Sequence, residues 1–250
     1  MSDAASAWPE GCEGAVSLTF DDGMPSHLSL AVPMLAEAGL HGTFYVNTRG
    51  EGWAERLAPW REVAKAGHEV GNHTVNHPCS RNFGFSSTCH LEGMTVDGID
   101  WEVAEAKRRL LEAIPEQPEM SFCYPCYQDY IGEGPTRQSY VPVVARHHAA
   151  GRGRGEVPNH PLWSDLHYLG SFPCERMSAP EMIGYVERGA AQGRWTILTF
   201  HGVQQGHLAV GEGDFKELLA HLNRHRSRIW TGTVVEVARR LHAHRAGRQG

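Results

Sequence analysis

The feature that most constrains this chain is an apolar run that ends in two acidic residues and a glycine. Residues 15–20 form the run, and Asp21, Asp22 and Gly23 follow it. Such a run predicts a buried strand, and functional groups collect where buried strands end. Neighbouring carboxylates repel each other, so the pair suits a site where a cation neutralises one and leaves the other to accept protons. The alternative is a surface turn, because Asp-Asp-Gly is also favourable turn chemistry.

Short β-rich runs alternate with helical segments along the rest of the chain. Strands are predicted at 43–46, 69–72, 121–124 and 194–200, with weaker ones at 166–169 and 228–232. Between residues 127 and 167, prolines and glycines leave room for one weak strand at most. No internal repeat or linker divides the chain. The pattern predicts an α/β fold with one domain over residues 1–250 and a parallel sheet closed, or nearly closed, into a barrel.

Composition narrows the range of partners. The net charge is −6, from 29 acidic and 23 basic residues, which disfavours nucleic acid because phosphate binding needs a positive face. Arginines crowd 146–154 and 224–245, and we expect both runs to be solvated surface.

No apolar run is long enough for a membrane span. Residues 1–14 show no export signal, which favours a cytoplasmic protein unless a signal has been removed. Oligomeric state is left open.

The cysteines allow several arrangements. In an exported protein they would form up to three disulfides, although they are too sparse for a stapled scaffold. Cys123 and Cys126 have the spacing of a redox motif, but no thioredoxin-like βαβ context surrounds them, which disfavours a dithiol function. The six are Cys12, Cys79, Cys89, Cys123, Cys126 and Cys174.

Two histidines complete a predicted metal site. His73 and His77 follow the strand predicted at 69–72, and imidazoles four residues apart can hold one ion. Asp22 supplies the third ligand. Two nitrogens and one oxygen leave positions open for water and substrate, as a catalytic site requires. Zinc is the default ion for this set, with cobalt or nickel as alternatives.

Two further residues have the chemistry of an acid–base pair. Asp21 is placed to take the proton from an attacking water, and His201, at another strand end, to protonate the leaving group. Gly202 would let a substrate approach closely. A buried structural histidine is the alternative for His201.

These segments resemble the polysaccharide deacetylases with the NodB homology fold, carbohydrate esterase family 4. Residues 19–23 are similar to the first family motif, in which the first aspartate is the base and the second binds metal. Residues 73–77 are similar to the second motif, which provides two histidine ligands. Residues 198–202 are similar to the fifth, which provides an apolar pocket residue, here Leu198, and the acid histidine.

The resemblance implies a fold, a substrate and a cofactor. The fold is a distorted (β/α) barrel of seven or eight parallel strands, NodB-like. The substrate is an acetylated oligosaccharide or polysaccharide, and the reaction removes N-acetyl or O-acetyl groups. The cofactor is a divalent metal.

The third and fourth motifs depart from the family pattern. Where most members have Arg-x-Pro-Tyr, with an arginine that orients the base, this chain has Cys123-Tyr124-Pro125-Cys126. Tyr124-Pro125 resembles a variant that lacks the arginine, and the Cys126 amide is expected to help hold the developing oxyanion. Arg137 is a candidate for orienting Asp21.

The fourth motif is echoed by Trp163-Ser164-Asp165. The resemblance makes Trp163 a substrate contact and Asp165 a group that orients His201, while a surface role for Asp165 stays open. Two other functions also stay open. One is a C–N hydrolase of the same fold acting on a small amide, and the other is a degenerate, non-catalytic glycan-binding module.

Overall fold

The computed structural model describes residues 7–84, 89–155 and 157–248, which form a parallel sheet wrapped by helices. Eight parallel strands make the main sheet, in the order β7-β4-β3-β2-β1-β9-β8 with β10 also beside β1, and β5 and β6 form a separate antiparallel hairpin. The strands are β1 (Gly14–Phe20), β2 (Thr43–Val46), β3 (Glu69–Asn72), β4 (Phe122–Cys123), β5 (Tyr130–Ile131), β6 (Gln138–Ser139), β7 (Gly151–Arg152), β8 (Phe172–Pro173), β9 (Trp195–Phe200) and β10 (Ile229–Thr231). The predicted α/β barrel of seven or eight parallel strands is confirmed.

Strand β1 is the centre of the sheet. It pairs with β9 from Ala15 to Phe20, with β10 at its beginning and with β2 at its end. Every residue of β1 is buried, which explains why its sequence is apolar without alternation. Asp21 therefore directly follows a strand that is paired on both sides.

The two sheet edges meet through an irregular segment. Leu169 N donates to Gly151 O (2.7 Å), and Gly153 N donates to Leu169 O (2.9 Å), so the chain leading into β8 lies against β7. The strand predicted at 166–169 is present only as one parallel bridge, between Arg152 and Leu169. This segment closes the sheet into a distorted barrel.

Helices cover the outside of the sheet. They are α1 (Val32–Ala38), α2 (Trp53–Lys65), α3 (Val96–Ala113), α4 (Val141–His147), α5 (Ala179–Ala191), α6 (Glu212–Arg224) and α7 (Val234–Ala246). Before α1, residues His27–Ala31 form a π-helical turn, a form often found at functional sites, and His27 is buried there. No helix of the described ranges combines the length and apolar character needed to cross a membrane.

An aromatic cluster supports the end of β1. The ring of Phe20 stacks on Phe44 (4.7 Å between centroids) and on Phe200 (5.3 Å), and Phe215 packs against it edge-on. All four side chains are buried. Such close packing leaves the strand end little freedom, so the residues that follow Phe20 are held in place.

Candidate active site

A cavity of about 1140 Å³ opens at the carboxyl ends of the strands. It brings together six residues that the sequence places at strand ends: Asp21, Asp22, His73, His77, Cys126 and His201. The rest of its lining is Asn47, Arg49, Arg56, Phe83, Tyr127, Arg154, Glu175, His207 and Leu208. Grouping at this face follows from the parallel sheet, because all carboxyl ends point the same way.

Asp22, His73 and His77 form a compact set of metal-binding groups. Asp22 Oδ1 lies 3.5 Å from His73 Nε2 and 3.4 Å from His77 Nε2. Ligand atoms about 2.0–2.1 Å from a tetrahedral zinc ion are about 3.3–3.4 Å apart, so the spacing fits one such ion. The donor set of two imidazoles and one carboxylate also suits zinc. These residues are therefore a candidate site for the predicted ion.

One hydrogen bond orients the His73 imidazole, and another holds the backbone of His77. His73 Nδ1 lies 3.0 Å from the carbonyl oxygen of Cys123, which favours a proton on Nδ1 and leaves Nε2 free for an ion. Thr74 Oγ1 accepts a hydrogen bond from His77 N. Burial lowers the pKa of His77 to about 4, which favours its neutral, metal-binding form.

The backbone around these groups adopts unfavourable conformations. Asp22, Thr74 and His77 have φ values of 75°, 64° and 56°, in the left-handed region that non-glycine residues seldom adopt. Glu102 holds the loop after β3 by accepting from Val75 N and Asn76 N. Local strain that the surroundings hold in place is typical of functional sites.

Arg152 is the residue that holds Asp21. Its Nη2 lies 2.5 and 2.6 Å from the two carboxylate oxygens of Asp21 and 2.7 Å from Cys123 Sγ. The guanidinium lies 5.3 Å from the ring centroids of both Tyr45 and Tyr127. Burial alone would raise the pKa of Asp21, but the charges of Arg152 and the nearby histidines keep it below its usual value. Asp21 is thus ionised and fixed in orientation.

The prediction that Arg137 orients Asp21 is corrected by this contact. Arg137 is exposed, and its guanidinium stacks on Tyr130 at 3.5 Å from the ring centroid. Arg152, by contrast, belongs to the arginine run that we expected to be solvated, yet its side chain is fully buried. The glycines on either side of Arg152 are the sequence signal for its burial, because neither position has room for a side chain. A Cβ atom at Gly151 would lie 2.5 Å from the carbonyl oxygen of His167, and a Cβ atom at Gly153 would lie 2.6 Å from the Tyr168 ring.

His201 lines the same cavity as Asp21, and the carboxylate nearest to its ring is that of Glu175. Its Nδ1 lies 3.9 Å from Glu175 Oε1, and its carbonyl oxygen contacts Nε2 of the buried His27. Burial lowers the pKa of His27 to about 4, so this neighbour is neutral at pH 7. Asp165, expected to orient His201, is exposed and accepts from His167 N instead. Glu175 was missed because no motif spacing marks it.

The predicted substrate contacts are only partly at the cavity. Cys126 lines it, whereas Tyr124, Pro125 and Leu198 are buried outside its lining. Trp163 is 81% exposed and stacks on His160, away from the lining residues. The apolar side chains that do line the cavity are Phe83 and Leu208.

A disulfide joins two loops of the cavity. Cys79, two residues after His77, pairs with Cys126, which has a φ of 52°; Cys123 stays a free, buried thiol. Because Cys126 is bonded to Cys79, it cannot also pair with Cys123 as a redox motif would require. The bond ties the histidine loop to the loop after β4.

Removing this disulfide is expected to destabilise the fold. Because it links residues 47 apart in sequence, the double variant Cys79→Ser/Cys126→Ser should lose about 2–4 kcal/mol of unfolding free energy. Denaturant unfolding of the zinc-loaded protein measures the loss. Cys12→Ser, at a free and half-buried cysteine, is the control. A double variant as stable as this control would contradict the prediction.

Sequence comparison places these residues among known proteins. Residues 9–130 match the family model described as polysaccharide deacetylase. A peptidoglycan-N-acetylglucosamine deacetylase from Bacillus cereus is 34% identical over 89 residues, which cover 34% of this chain and 38% of that protein. The match therefore spans well under half of that relative's length.

Solved structures share the fold. One, of a Mycobacterium smegmatis protein described as a polysaccharide deacetylase, is 16% identical with a TM-score of 0.66 and covers 94% of this chain and 92% of its own. Another, a family 4 acetyl xylan esterase from Clostridium thermocellum in complex with a cobalt ion, is 19% identical with a TM-score of 0.53 and covers 89% of each chain. At these identities the likeness concerns the fold.

Proposed function

We propose that this chain, whose residues 9–130 match the polysaccharide deacetylase family model, is a metal-dependent carbohydrate deacetylase. It hydrolyses N-acetyl or O-acetyl groups on an oligosaccharide or polysaccharide. The observation that carries the proposal is the convergence, in one cavity, of the triad Asp22, His73 and His77 with the Asp21–Arg152 pair and His201. A binding module has no need of both a base and an acid.

Each residue has a defined part in this reaction. Asp22, His73 and His77 would hold the divalent ion, and this ligand set suits zinc. When bound, the ion would polarise the acetyl carbonyl and make a nearby water more acidic. Asp21 takes a proton from the water as its oxygen bonds to the carbonyl carbon. Arg152 keeps that carboxylate ionised and in place.

The collapse of the intermediate needs a donor and an acid. The amide N–H of Cys126, at the cavity wall, donates to the developing oxyanion. His201 gives a proton to the leaving amine or alcohol as the carbon–nitrogen or carbon–oxygen bond breaks, and acetate is the second product. Glu175 is the carboxylate beside His201, with Oε1 3.9 Å from the imidazole Nδ1.

Acetate release with and without metal tests the proposal. The zinc-loaded protein should release acetate from acetylated chito-oligosaccharides or acetylated xylan. A chelator should lower the rate at least about 100-fold, and added zinc or cobalt should restore it. One structural neighbour is a mutant of a pseudoenzyme from this family, so turnover must be measured and not assumed. No acetate from either glycan, with zinc present, would contradict the proposal.

The location of the protein is a separate proposal. A cytoplasmic location is the one that we predicted from the sequence. Disulfides persist mainly in oxidising compartments, so the Cys79–Cys126 bond supports an extracytoplasmic location instead. Fractionation of the native host, with trapping of free thiols, distinguishes the two.

A further inference from the structure

Three arginines line the cavity without carboxylate partners. Arg49 lies between β2 and α2, Arg56 lies in the first turn of α2, and Arg154 lies two residues after β7. Among the described residues, none of the three forms an ion pair with an acidic side chain, although most of the protein's other ion pairs use arginine. Their charges therefore face the cavity and solvent. This is unexpected in a chain whose net charge is −6.

The acidic residues of the cavity do not balance these arginines. The lining contains three carboxylates, those of Asp21, Asp22 and Glu175. Arg152 already neutralises Asp21, and Asp22 belongs to the metal triad. Only Glu175 is left to oppose three guanidinium groups, so the rim is positive. With a divalent ion in place it is more positive still.

Local contacts hold the rim arginines in position. Arg49 Nε donates to Asn47 Oδ1 at 3.2 Å, and Arg56 Nη2 donates to the carbonyl oxygen of Arg49. The guanidinium of Arg154 lies 5.8 Å from the ring centroid of Tyr127. Side chains already restrained in this way lose less entropy when they bind a ligand. Each guanidinium keeps N–H groups for a planar or tetrahedral anion.

The positive surface extends beyond the cavity through Arg154. Arg154 and Glu175 also line an adjoining cavity of about 350 Å³, which includes Arg188. The ring of Tyr185 in that cavity stacks on Phe172 at 4.3 Å and lies 5.7 Å from the Arg188 guanidinium. A glycan longer than one sugar would pass from the first cavity to the second along Arg154.

Resting on the proposed deacetylase function, we infer that the preferred substrate is an acetylated glycan that carries an acidic substituent, a carboxylate or a phosphate. The rim arginines recognise the acidic group, and Arg154 contributes most because it lines both cavities. The inference narrows the substrate class from any acetylated glycan to an anionic one. Neutral acetylated glycans would be poorer substrates for lack of a charged partner.

Matched oligosaccharides test the inference. The probes are N-acetylated chitotetraose, the same oligomer oxidised to the carboxylate at C6, and the same oligomer phosphorylated at C6. With the zinc-loaded protein at low ionic strength, kcat/KM for acetate release should be about tenfold higher for an acidic probe than for the neutral one. The carboxylate and phosphate arms show which acid fits better. Equal kcat/KM values for all three probes would overturn the inference.

Charge variants identify the residues involved. Arg154→Gln should lower the acidic-to-neutral ratio of kcat/KM about 10-fold, and Arg49→Gln should lower it about 3-fold. Arg226→Gln removes one charge at an exposed site next to β10, at the opposite end of the barrel, and should keep the wild-type ratio. An Arg154→Gln variant with the wild-type ratio would remove Arg154 from the recognition site.

A binding measurement separates this inference from the proposed function. Calorimetric titration of the zinc-loaded Asp21→Asn variant with the three probes reports recognition without turnover. Tighter binding of an acidic probe supports the inference even if no probe releases acetate, in which case only the deacetylase proposal fails. Equal affinity for neutral and acidic probes overturns the inference whatever the turnover.

Discussion

Replacing Asp21 by asparagine is expected to lower acetate release about 10³-fold or more while zinc stays bound. The amide has nearly the same shape but does not accept the proton that a general base removes from water, a contribution of about 10²–10⁴-fold. The metal triad should stay intact, because Asp22 contacts His73 and His77 directly and Asp21 takes no part in those contacts. Steady-state acetate release gives kcat/KM, and elemental analysis after dialysis gives the zinc content.

Asp22→Asn is the matched control for this variant. It changes the neighbouring carboxylate in the same way, but it weakens a metal ligand, so zinc content and activity should fall together. Thermal unfolding of both variants checks that Arg152, which loses its partner in Asp21→Asn, has not disrupted the fold. An Asp21→Asn protein that keeps its activity, or that loses zinc as readily as Asp22→Asn, would refute the separate roles of the two carboxylates.

Local patterns in the sequence predict much of this site. The strands at 43–46 and 69–72 are predicted with the bounds that the structure has, and the first of them is a short apolar and β-branched run. The strand ends then follow from parallel topology, which brings Asp21, Asp22 and His201 to one face. Periodicity and motif spacing carry this information because both are properties of neighbouring residues.

Residues placed by tertiary closure could not be predicted in the same way. Strand β7 has two residues, which pair with β4 on one side and lie against the segment before β8 on the other. In the local sequence, only the flanking glycines distinguish buried Arg152 from the solvated arginines near it, and its partner Asp21 is 131 residues away. Trp163 and Asp165 show the converse, since their spacing resembles a motif but their segment lies outside the cavity lining.

Loss of the Arg152 guanidinium should affect stability and catalysis together. Arg152→Met leaves the Asp21 carboxylate buried without its cation, and breaking a buried pair in this way costs about 3–5 kcal/mol of unfolding free energy. Methionine is apolar and flexible enough to occupy the space between Tyr45 and Tyr127. Denaturant unfolding of the zinc-loaded protein measures the loss.

The pH dependence of the Arg152→Met variant separates positioning from a purely structural role. Arg152 helps to hold the pKa of Asp21 below its usual value, so its removal raises that pKa. Because only the ionised carboxylate accepts a proton, the acidic limb of the kcat/KM profile should move to higher pH in the variant. In the wild type, the stabilisation from this lowered pKa is present above the unfolded-state value of about 3.9 and is lost as the pH falls.

The double variant Asp21→Asn/Arg152→Met removes both charges and should regain most of the lost stability, because no buried charge is left unpaired. A single variant with an unshifted acidic limb, or a double variant no more stable than Arg152→Met, would show that Arg152 does not act through Asp21.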